Sequence, residues 1–163
     1  MDVQAETRNE RTWQLGAGGE EGGAGTILLV EDEVFVRDVT SEVLRSAGYR
    51  VLTAKNAADA ERAYVKGCGE VDMLLTDVIL PGENGRSFAE RLRLRHPTLK
   101  ILLVTGYAEQ MGLLEGGREE CLAKPFSTTE LLEKVKEMMP VRDFASEQAR
   151  LELRPDAGNA SPA

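Results

Sequence analysis

Five polar residues stand at the carboxyl ends of short apolar runs, and their side chains suit one kind of chemistry. They are Glu31, Asp32, Asp77, Thr105 and Lys124. Three crowded carboxylates repel one another unless a cation joins them, and hard oxygen ligands of this kind select Mg²⁺. An aspartate in such a site can attack phosphorus and form an aspartyl phosphate. A lysine ammonium and a threonine hydroxyl could then each bind an oxygen of the phosphoryl group.

Four of these residues also have an ordinary structural explanation when taken alone. Glu31 and Asp32 could form the solvated start of a helix, where the helix dipole favours acidic side chains. Asp77 could be a turn former after a strand, and Lys124 could be a surface lysine. The functional interpretation therefore depends on all five residues converging at one edge of a sheet.

Apolar runs alternate with helical patterns along the chain and predict the scaffold that positions these residues. The predicted strands are Thr26–Val30, Arg50–Ala54, Val71–Thr76, Lys100–Thr105 and Glu120–Ala123. The predicted helices are Val34–Ala47, Ala57–Lys66, Arg86–Arg95 and Ser127–Met139. Apolar strands separated by helices indicate an α/β fold with a parallel sheet covered on both faces, in which sites form at the carboxyl ends of the strands.

The stretch between the fourth and fifth strands is rich in glycine, namely Gly106, Gly112, Gly116 and Gly117. Glycine costs roughly 1 kcal/mol relative to alanine inside a helix. We therefore expect the fourth helix of the fold to be short, frayed or absent.

Both ends of the chain read as tails. Residues 1–25 are polar and end in the run GAGGEEGGAG, which cannot bury a face, so that we expect a flexible N-terminal tail. Pro140 ends the last predicted helix, and residues 140–163 are expected to form a mostly disordered C-terminal tail. The folded domain is therefore expected over residues 26–139.

Composition narrows the possible partners and locations. The chain has 163 residues and a net charge of −8, which disfavours nucleic acid and anionic membranes as partners. It contains neither a bilayer-spanning apolar stretch nor a signal-peptide core at the N-terminus, so that we expect a cytoplasmic protein. The two cysteines, Cys68 and Cys121, lack metal-site spacing and are expected to be reduced thiols in or near the core.

The sequence resembles the response-regulator receiver family of two-component systems from about Thr26 to Met139. The resemblance rests on the segments ILLVEDE, LLTDVILPGENG, ILLVTGYAE and AKPFSTTELLEKV. It implies a flavodoxin-like, doubly wound, five-stranded parallel sheet with strand order 2-1-3-4-5. It also implies a phosphorylation site whose phosphoryl group comes from histidine kinases.

The resemblance assigns roles to the acidic residues. Asp77 is implied to be the phosphoacceptor. Asp32, Asp77 and the backbone carbonyl of Ile79 are implied to be direct Mg²⁺ ligands, and Glu31 is implied to act through water. No other cofactor is expected.

The remaining site residues also take roles from the resemblance. Thr105 is implied to be the switch hydroxyl. Lys124 is implied to be the phosphate-binding lysine, followed by a cis peptide bond to Pro125.

Three features depart from the common pattern of the family, and one of them is the glycine-rich stretch described above. Cys121 stands three residues before the lysine, where the family often has an aromatic switch residue, and it is too small for an aromatic swing. Gly106 and Tyr107 follow the switch threonine, and this TGY form resembles receivers of hybrid histidine kinases and their stand-alone relatives.

These observations predict a single-domain response regulator that is not an enzyme. Its expected partners are a sensor histidine kinase or histidine phosphotransfer protein, and a downstream protein target. The expected output surface is the face formed by the fourth helix, fifth strand and fifth helix, which is also a candidate homodimer interface. Candidate residues for that face are Leu113, Leu114, Leu131 and Val135. Their helical spacing fits a place in the core equally well.

Three other functions would use some of the same residues. A phosphorelay intermediate, or a phosphate sink for a hybrid kinase, would use the same residues, so that the sequence leaves both open. A phosphatase of the dehalogenase type would place a second aspartate two residues past the nucleophile, where this chain has Ile79. The complete acidic set argues against an interaction module that works without phosphorylation.

Overall fold

Five strands and four helices make up the described part of a computed structural model, residues 24–67, 70–106 and 120–140. The strands are β1 (Thr26–Val30), β2 (Arg50–Ala54), β3 (Met73–Asp77), β4 (Lys100–Thr105) and β5 (Glu120–Ala123). The helices are α1 (Val34–Ser46), α2 (Ala57–Lys66), α3 (Gly85–Arg95) and α4 (Thr128–Met138). Within this part of the chain, every helix falls short of the length and apolarity that crossing a membrane requires.

Several sequence predictions concern residues outside the described part. The predicted fourth helix, with Tyr107, Leu113 and Leu114, falls there, and so do Cys68 and nearly all of both predicted tails. The final helix, counted fifth in the sequence analysis, is therefore labelled α4.

The five strands are parallel and follow the order β2-β1-β3-β4-β5, which confirms the predicted fold. Successive side chains of a strand point to opposite faces of a sheet, and both faces are buried. Leu28 and Val30 of β1 belong to one core cluster, whereas Ile27 and Leu29 belong to the other. This arrangement explains why the strands are continuously apolar.

Helices α2 and α3 cover the first of these faces. Tyr64 from α2 and Phe88 and Leu92 from α3 pack in the same cluster as Leu28 and Val30. Cys121 of β5 is half-buried and packs against this cluster. Its position near the core is the predicted one, and its reduced state stays a prediction.

Helices α1 and α4 cover the second face. Leu44 of α1 packs there with Leu131 and Val135 of α4, and the latter two are 1% and 0% exposed. The candidate assignment of Leu131 and Val135 to an output surface is therefore wrong, because their apolar side chains serve the core instead.

A side chain caps the start of three of the four described helices. Asn56 and Asn84 accept backbone N–H bonds at the starts of α2 and α3. Ser127 and Glu130 form a capping box at the start of α4. At α1, by contrast, Glu33 occupies the N-cap position without a side-chain capping bond.

The third strand begins later than predicted. The apolar pattern suggested Val71–Thr76, but β3 begins at Met73 and includes Asp77. Asp72 instead binds the first residue of β1: its carboxylate accepts a bond from the Thr26 N–H at 2.8 Å, and its own N–H donates to the Thr26 carbonyl at 2.9 Å. The strand thus ends on the acid that the sequence analysis placed after it.

Candidate functional site

Two acidic segments meet at the carboxyl-end edge of the sheet because β1 and β3 are direct neighbours. Val30 at the end of β1 pairs with Thr76, so that Glu31 and Asp77 follow side by side. Asp32 comes next in the turn towards α1. One carboxylate oxygen from each of these three acids lies within 4.8 Å of the other two. The structure therefore brings together the three acids singled out in the sequence.

The three carboxylates differ in their access to solvent. Glu31 is buried and the Asp77 side chain is 12% exposed, whereas Asp32 is exposed. An ion arriving from solvent would therefore meet Asp32 first.

Lys124 reaches the acids from the end of β5, on the far side of β4. Its Nζ atom is 2.6 Å from Asp77 Oδ2 and 3.2 Å from Glu31 Oε2. The peptide bond from Lys124 to Pro125 is cis, as the sequence analysis expected. One ammonium group thus bridges two carboxylates, one just after β1 and one at the end of β3.

Burial and charge oppose each other in this cluster. Burial raises the pKa of Glu31, and this effect outweighs the hydrogen bond from the Glu33 N–H and the attraction of Lys124. Burial also opposes the charged form of Lys124, but the bonds to Asp77 and Glu31 hold the pKa of the lysine above its ordinary value. Lys124 is therefore positively charged at neutral pH and partly neutralises the acids.

The backbone around Asp77 fixes its carboxylate. The Ile79 N–H donates to Asp77 Oδ1 at 3.0 Å, and the Val78 N–H donates to the Val104 carbonyl at 2.9 Å. At Gly85, the first residue of α3, a Cβ atom would lie 1.9 Å from the Asp77 carbonyl oxygen. Only glycine can approach so closely. The local sequence around Gly85 does not predict this contact.

Thr105 stands at the same edge of the sheet. It ends β4, is buried, and pairs with Ala123 of β5. Its neighbour Val104 pairs with Asp77, so that Thr105 lies one position beyond the aspartate. The Lys124 N–H donates to the Thr105 carbonyl at 2.8 Å, which joins these two residues through their backbones.

The donor set at this edge fits a Mg²⁺ ion. Three carboxylates face one ammonium group, so that a surplus of negative charge remains for a divalent cation to offset. Carboxylate oxygens are the ligands that Mg²⁺ prefers. The described contact of Ile79 is made by its N–H, and the role of its carbonyl as a ligand stays a prediction.

Known proteins resemble this chain over the same region. Residues 27–136 match the family model for the response regulator receiver domain. The sensor kinase CckA of Brucella abortus is 38% identical over 124 residues, covering 74% of this chain and 13% of that protein. The phosphate regulon transcriptional regulatory protein PhoB of Pseudomonas aeruginosa is 31% identical over 133 residues, covering 78% and 57%. The chain thus spans only part of the length of these relatives.

Solved structures agree with the sequence comparison. The response regulator TrrA of Thermotoga maritima, in complex with Mg²⁺ and BeF, is 32% identical with a TM-score of 0.63, covering 70% of this chain and 98% of that one. The receiver domain of the hybrid histidine kinase CckA is 32% identical with a TM-score of 0.61, covering 71% and 99%. The chain therefore belongs to the response regulator receiver domain family, whose members accept phosphate from histidine kinases.

Proposed function

We propose that this chain is a single-domain response regulator in which Asp77 accepts a phosphoryl group from a histidine kinase in the presence of Mg²⁺. The supporting observation is the bridge from Lys124 to Asp77 and Glu31, at 2.6 and 3.2 Å, beside the exposed Asp32. The receiver is proposed to extend over residues 26–139, with a tail on either side. Its output is contact with a downstream protein rather than a reaction of its own.

Asp77 is the proposed nucleophile because it is the last residue of β3 and its carboxylate lies in this cluster. One of its oxygens forms a bond to phosphorus while the bond between phosphorus and the donor's histidine nitrogen breaks, and the electron pair of that bond returns to the imidazole. Lys124 then exchanges its contact with Asp77 Oδ2 for a phosphoryl oxygen, and the Thr105 hydroxyl donates to another. Both contacts exist only in the phosphorylated protein, so that they can shift the conformation of the segment after β4.

The acidic residues are proposed to hold the ion. Asp32, Asp77 and the Ile79 carbonyl would bind it directly, and Glu31 would act through water. When bound, Mg²⁺ supplies positive charge that offsets the charge on the attacking carboxylate and on the phosphoryl oxygens.

The direct test combines a small donor with a matched pair of variants. The protein is incubated with acetyl phosphate and Mg²⁺, and intact mass is measured. We expect the wild-type protein to gain one phosphoryl group, Asp77→Asn to gain none, and Asp38→Asn, which alters an exposed acid of α1, to behave as wild type. Excess EDTA should abolish the gain. Phosphorylation of Asp77→Asn to the wild-type level would contradict the assignment.

An apolar cleft beside Lys124 is the proposed docking place of the histidine-bearing partner. It has a volume of about 460 Å³ and lies between α1 and the start of α4, where its lining includes Phe35, Val39, Pro125 and Phe126. Phe35 is 73% exposed and Val39 is 43% exposed, so that apolar side chains lining the cleft face solvent together. Because the donor's histidine must reach Asp77, its protein has to contact surfaces that border the site.

This docking proposal separates large donors from small ones. We expect Phe35→Ala to slow phosphoryl transfer from a histidine phosphotransfer protein by about tenfold while leaving transfer from acetyl phosphate unchanged. Leu94→Ala, at a residue 85% exposed on α3, provides the matched control on the opposite face. Equal slowing with both donors would place the effect in the site rather than in docking.

A second candidate function is a phosphorelay intermediate or a phosphate sink for a hybrid kinase. The similarity to sensor kinase CckA, and to the receiver domain of hybrid histidine kinase CckA, favours it. The deciding measurement mixes the protein phosphorylated at Asp77 with a histidine phosphotransfer protein. Rapid appearance of phosphohistidine supports the relay, and retention of phosphate on Asp77 supports the single-domain regulator.

A further inference from the structure

An arginine of α1 holds the backbone of the two acids that follow β1. Nη1 of Arg37 lies 2.8 Å from the carbonyl oxygen of Glu31 and 3.4 Å from that of Asp32. In both of these bonds the guanidinium donates to the main chain of the acidic pair rather than to its carboxylates.

The turn between β1 and α1 lacks the usual means of fixing a helix start. Helices α2, α3 and α4 each have a side-chain cap, from Asn56, Asn84 and Ser127. Among the described helices, α1 has none, because the side chain of Glu33 makes no capping bond. The long side chain of Arg37 instead reaches back across the turn to its carbonyl groups.

Arg37 completes a set of four bonds that fix Glu31. The Glu31 N–H donates to the Ala54 carbonyl at 3.0 Å, and its carboxylate oxygens accept from the Glu33 N–H at 3.1 Å and from Lys124 at 3.2 Å. The carbonyl is the remaining polar group of Glu31, and Arg37 occupies it. Without that bond, the peptide group between Glu31 and Asp32 would be held less firmly.

We infer that Arg37 is a positioning residue that orients the acidic pair for Mg²⁺, an inference that rests on the proposed function. The sign of its effect distinguishes this role from a purely electrostatic one. A positive charge close to three carboxylates opposes the binding of a cation, so that its removal alone would strengthen Mg²⁺ binding. Removal of a group that orients metal ligands weakens it.

The test measures the dissociation constant of Mg²⁺ by NMR titration of the full chain. For Arg37→Met, which keeps the aliphatic stem but loses charge and donors, we expect affinity to fall by about tenfold. Arg37→Lys should retain part of the affinity, because an ammonium group can bind one of the two carbonyl oxygens. Equal or tighter binding by Arg37→Met would overturn the inference.

Arg45→Met is the matched control. Arg45 lies on the same helix, and its guanidinium also donates to a main-chain carbonyl, that of Val51 at 3.2 Å, on β2 rather than at the acidic turn. We expect both methionine variants to unfold at somewhat lower urea concentrations in EDTA, but only Arg37→Met to lose Mg²⁺ affinity. Equal loss of Mg²⁺ affinity in both variants would show that the loss comes from general destabilisation of the fold, and it would contradict the inference.

The experiment also separates this inference from the proposed function. If the wild-type protein binds Mg²⁺ and Arg37→Met binds it equally well, only the role of Arg37 fails. If the wild-type protein does not bind Mg²⁺, the proposed Mg²⁺-dependent site fails and the inference fails with it.

Discussion

Two aspartates mark the opposite ends of β3 and have very different surroundings. Asp72 precedes the strand, and its carboxylate accepts a bond from the Thr26 N–H at 2.8 Å. Asp77 ends the strand and shares its surroundings with two further acids and Lys124. A carboxylate bound by neutral N–H groups adds stability. A carboxylate crowded by like charges lowers the stability of the folded protein, but it can bind a cation and attack phosphorus.

A glycine packs against each of these aspartates. At Gly25, where φ is 119°, a Cβ atom would lie 3.0 Å from Asp72 Oδ2. At Gly85 a Cβ atom would lie 1.9 Å from the carbonyl oxygen of Asp77. We call the carboxyl-end edge of the sheet, where Asp77 lies, the functional edge. The tight contact there is with the main chain, which cannot move aside without moving the aspartate itself.

The largest expected effect comes from Gly85→Ala. We expect it to lower the free energy of unfolding by about 3 kcal/mol, because the backbone of Asp77 must shift to admit a methyl group. Phosphorylation by acetyl phosphate should slow as well. Gly25→Ala should cost about 1 kcal/mol through its positive φ and leave phosphorylation unchanged. Urea unfolding and intact mass measure both effects, and a normal phosphorylation rate in Gly85→Ala would show that the contact does not position Asp77.

The next largest effect concerns the ammonium group of Lys124 at the functional edge. We expect Lys124→Met to lower the free energy of unfolding by about 2 kcal/mol in EDTA, because it leaves Glu31 and Asp77 without their ammonium partner. Mg²⁺ should restore most of this loss, since the ion replaces the missing positive charge. Urea unfolding with EDTA and with Mg²⁺ measures the difference. An equal loss under both conditions would show that Lys124 acts by packing rather than by charge.

The same substitution at the two aspartates should give opposite signs. We expect Asp72→Asn to lower the free energy of unfolding by about 1 kcal/mol, because it weakens the bond from the Thr26 N–H. Asp77→Asn should raise it by about 1 kcal/mol in EDTA, because relief of the repulsion among three acids exceeds the loss of the ion pair with Lys124, which keeps Glu31 as its partner. Urea unfolding of both variants compares them directly. Destabilisation by Asp77→Asn would remove the proposed contrast between the ends of β3.

Much of this contrast follows from local sequence patterns. The bounds of β4 and β5 match their predicted bounds, because each apolar run ends in a polar residue at the sheet edge. The convergence of Glu31, Asp32 and Asp77 follows from the rule that parallel strands end together. Pattern and topology therefore sufficed to place the acids.

Contacts between distant segments could not be read in the same way. Asp72 looked like part of an apolar strand, since its bond to Thr26 depends on a pairing that the local pattern does not contain. The need for glycine at position 85 arises from the path of the chain around Asp77. The reach of Arg37 to two carbonyl groups depends on a flexible side chain, whose rotamer no sequence spacing specifies.

The smallest expected effect tests whether the functional edge costs stability at neutral pH. Burial raises the pKa of Glu31 above its ordinary value of 4.5. Folding therefore favours protonated Glu31: its stabilising contribution is complete below the ordinary pKa and is lost as pH rises through the raised one. In EDTA, we expect Glu31→Gln to be more stable than the wild-type protein at pH near 7, by less than about 1 kcal/mol. The difference should shrink as the pH falls towards 4.5, where wild-type Glu31 becomes neutral as well.

Urea unfolding across this pH range, with EDTA and with Mg²⁺, completes the test. A constant difference between Glu31→Gln and the wild-type protein at all pH values would assign the effect to hydrogen bonding, because only an ionising group can produce the expected slope. In Mg²⁺ the order at neutral pH should reverse, since the variant lacks one of the three carboxylates that favour the ion. The charge that lowers the stability of the free protein would then be the charge that stabilises its complex with the metal.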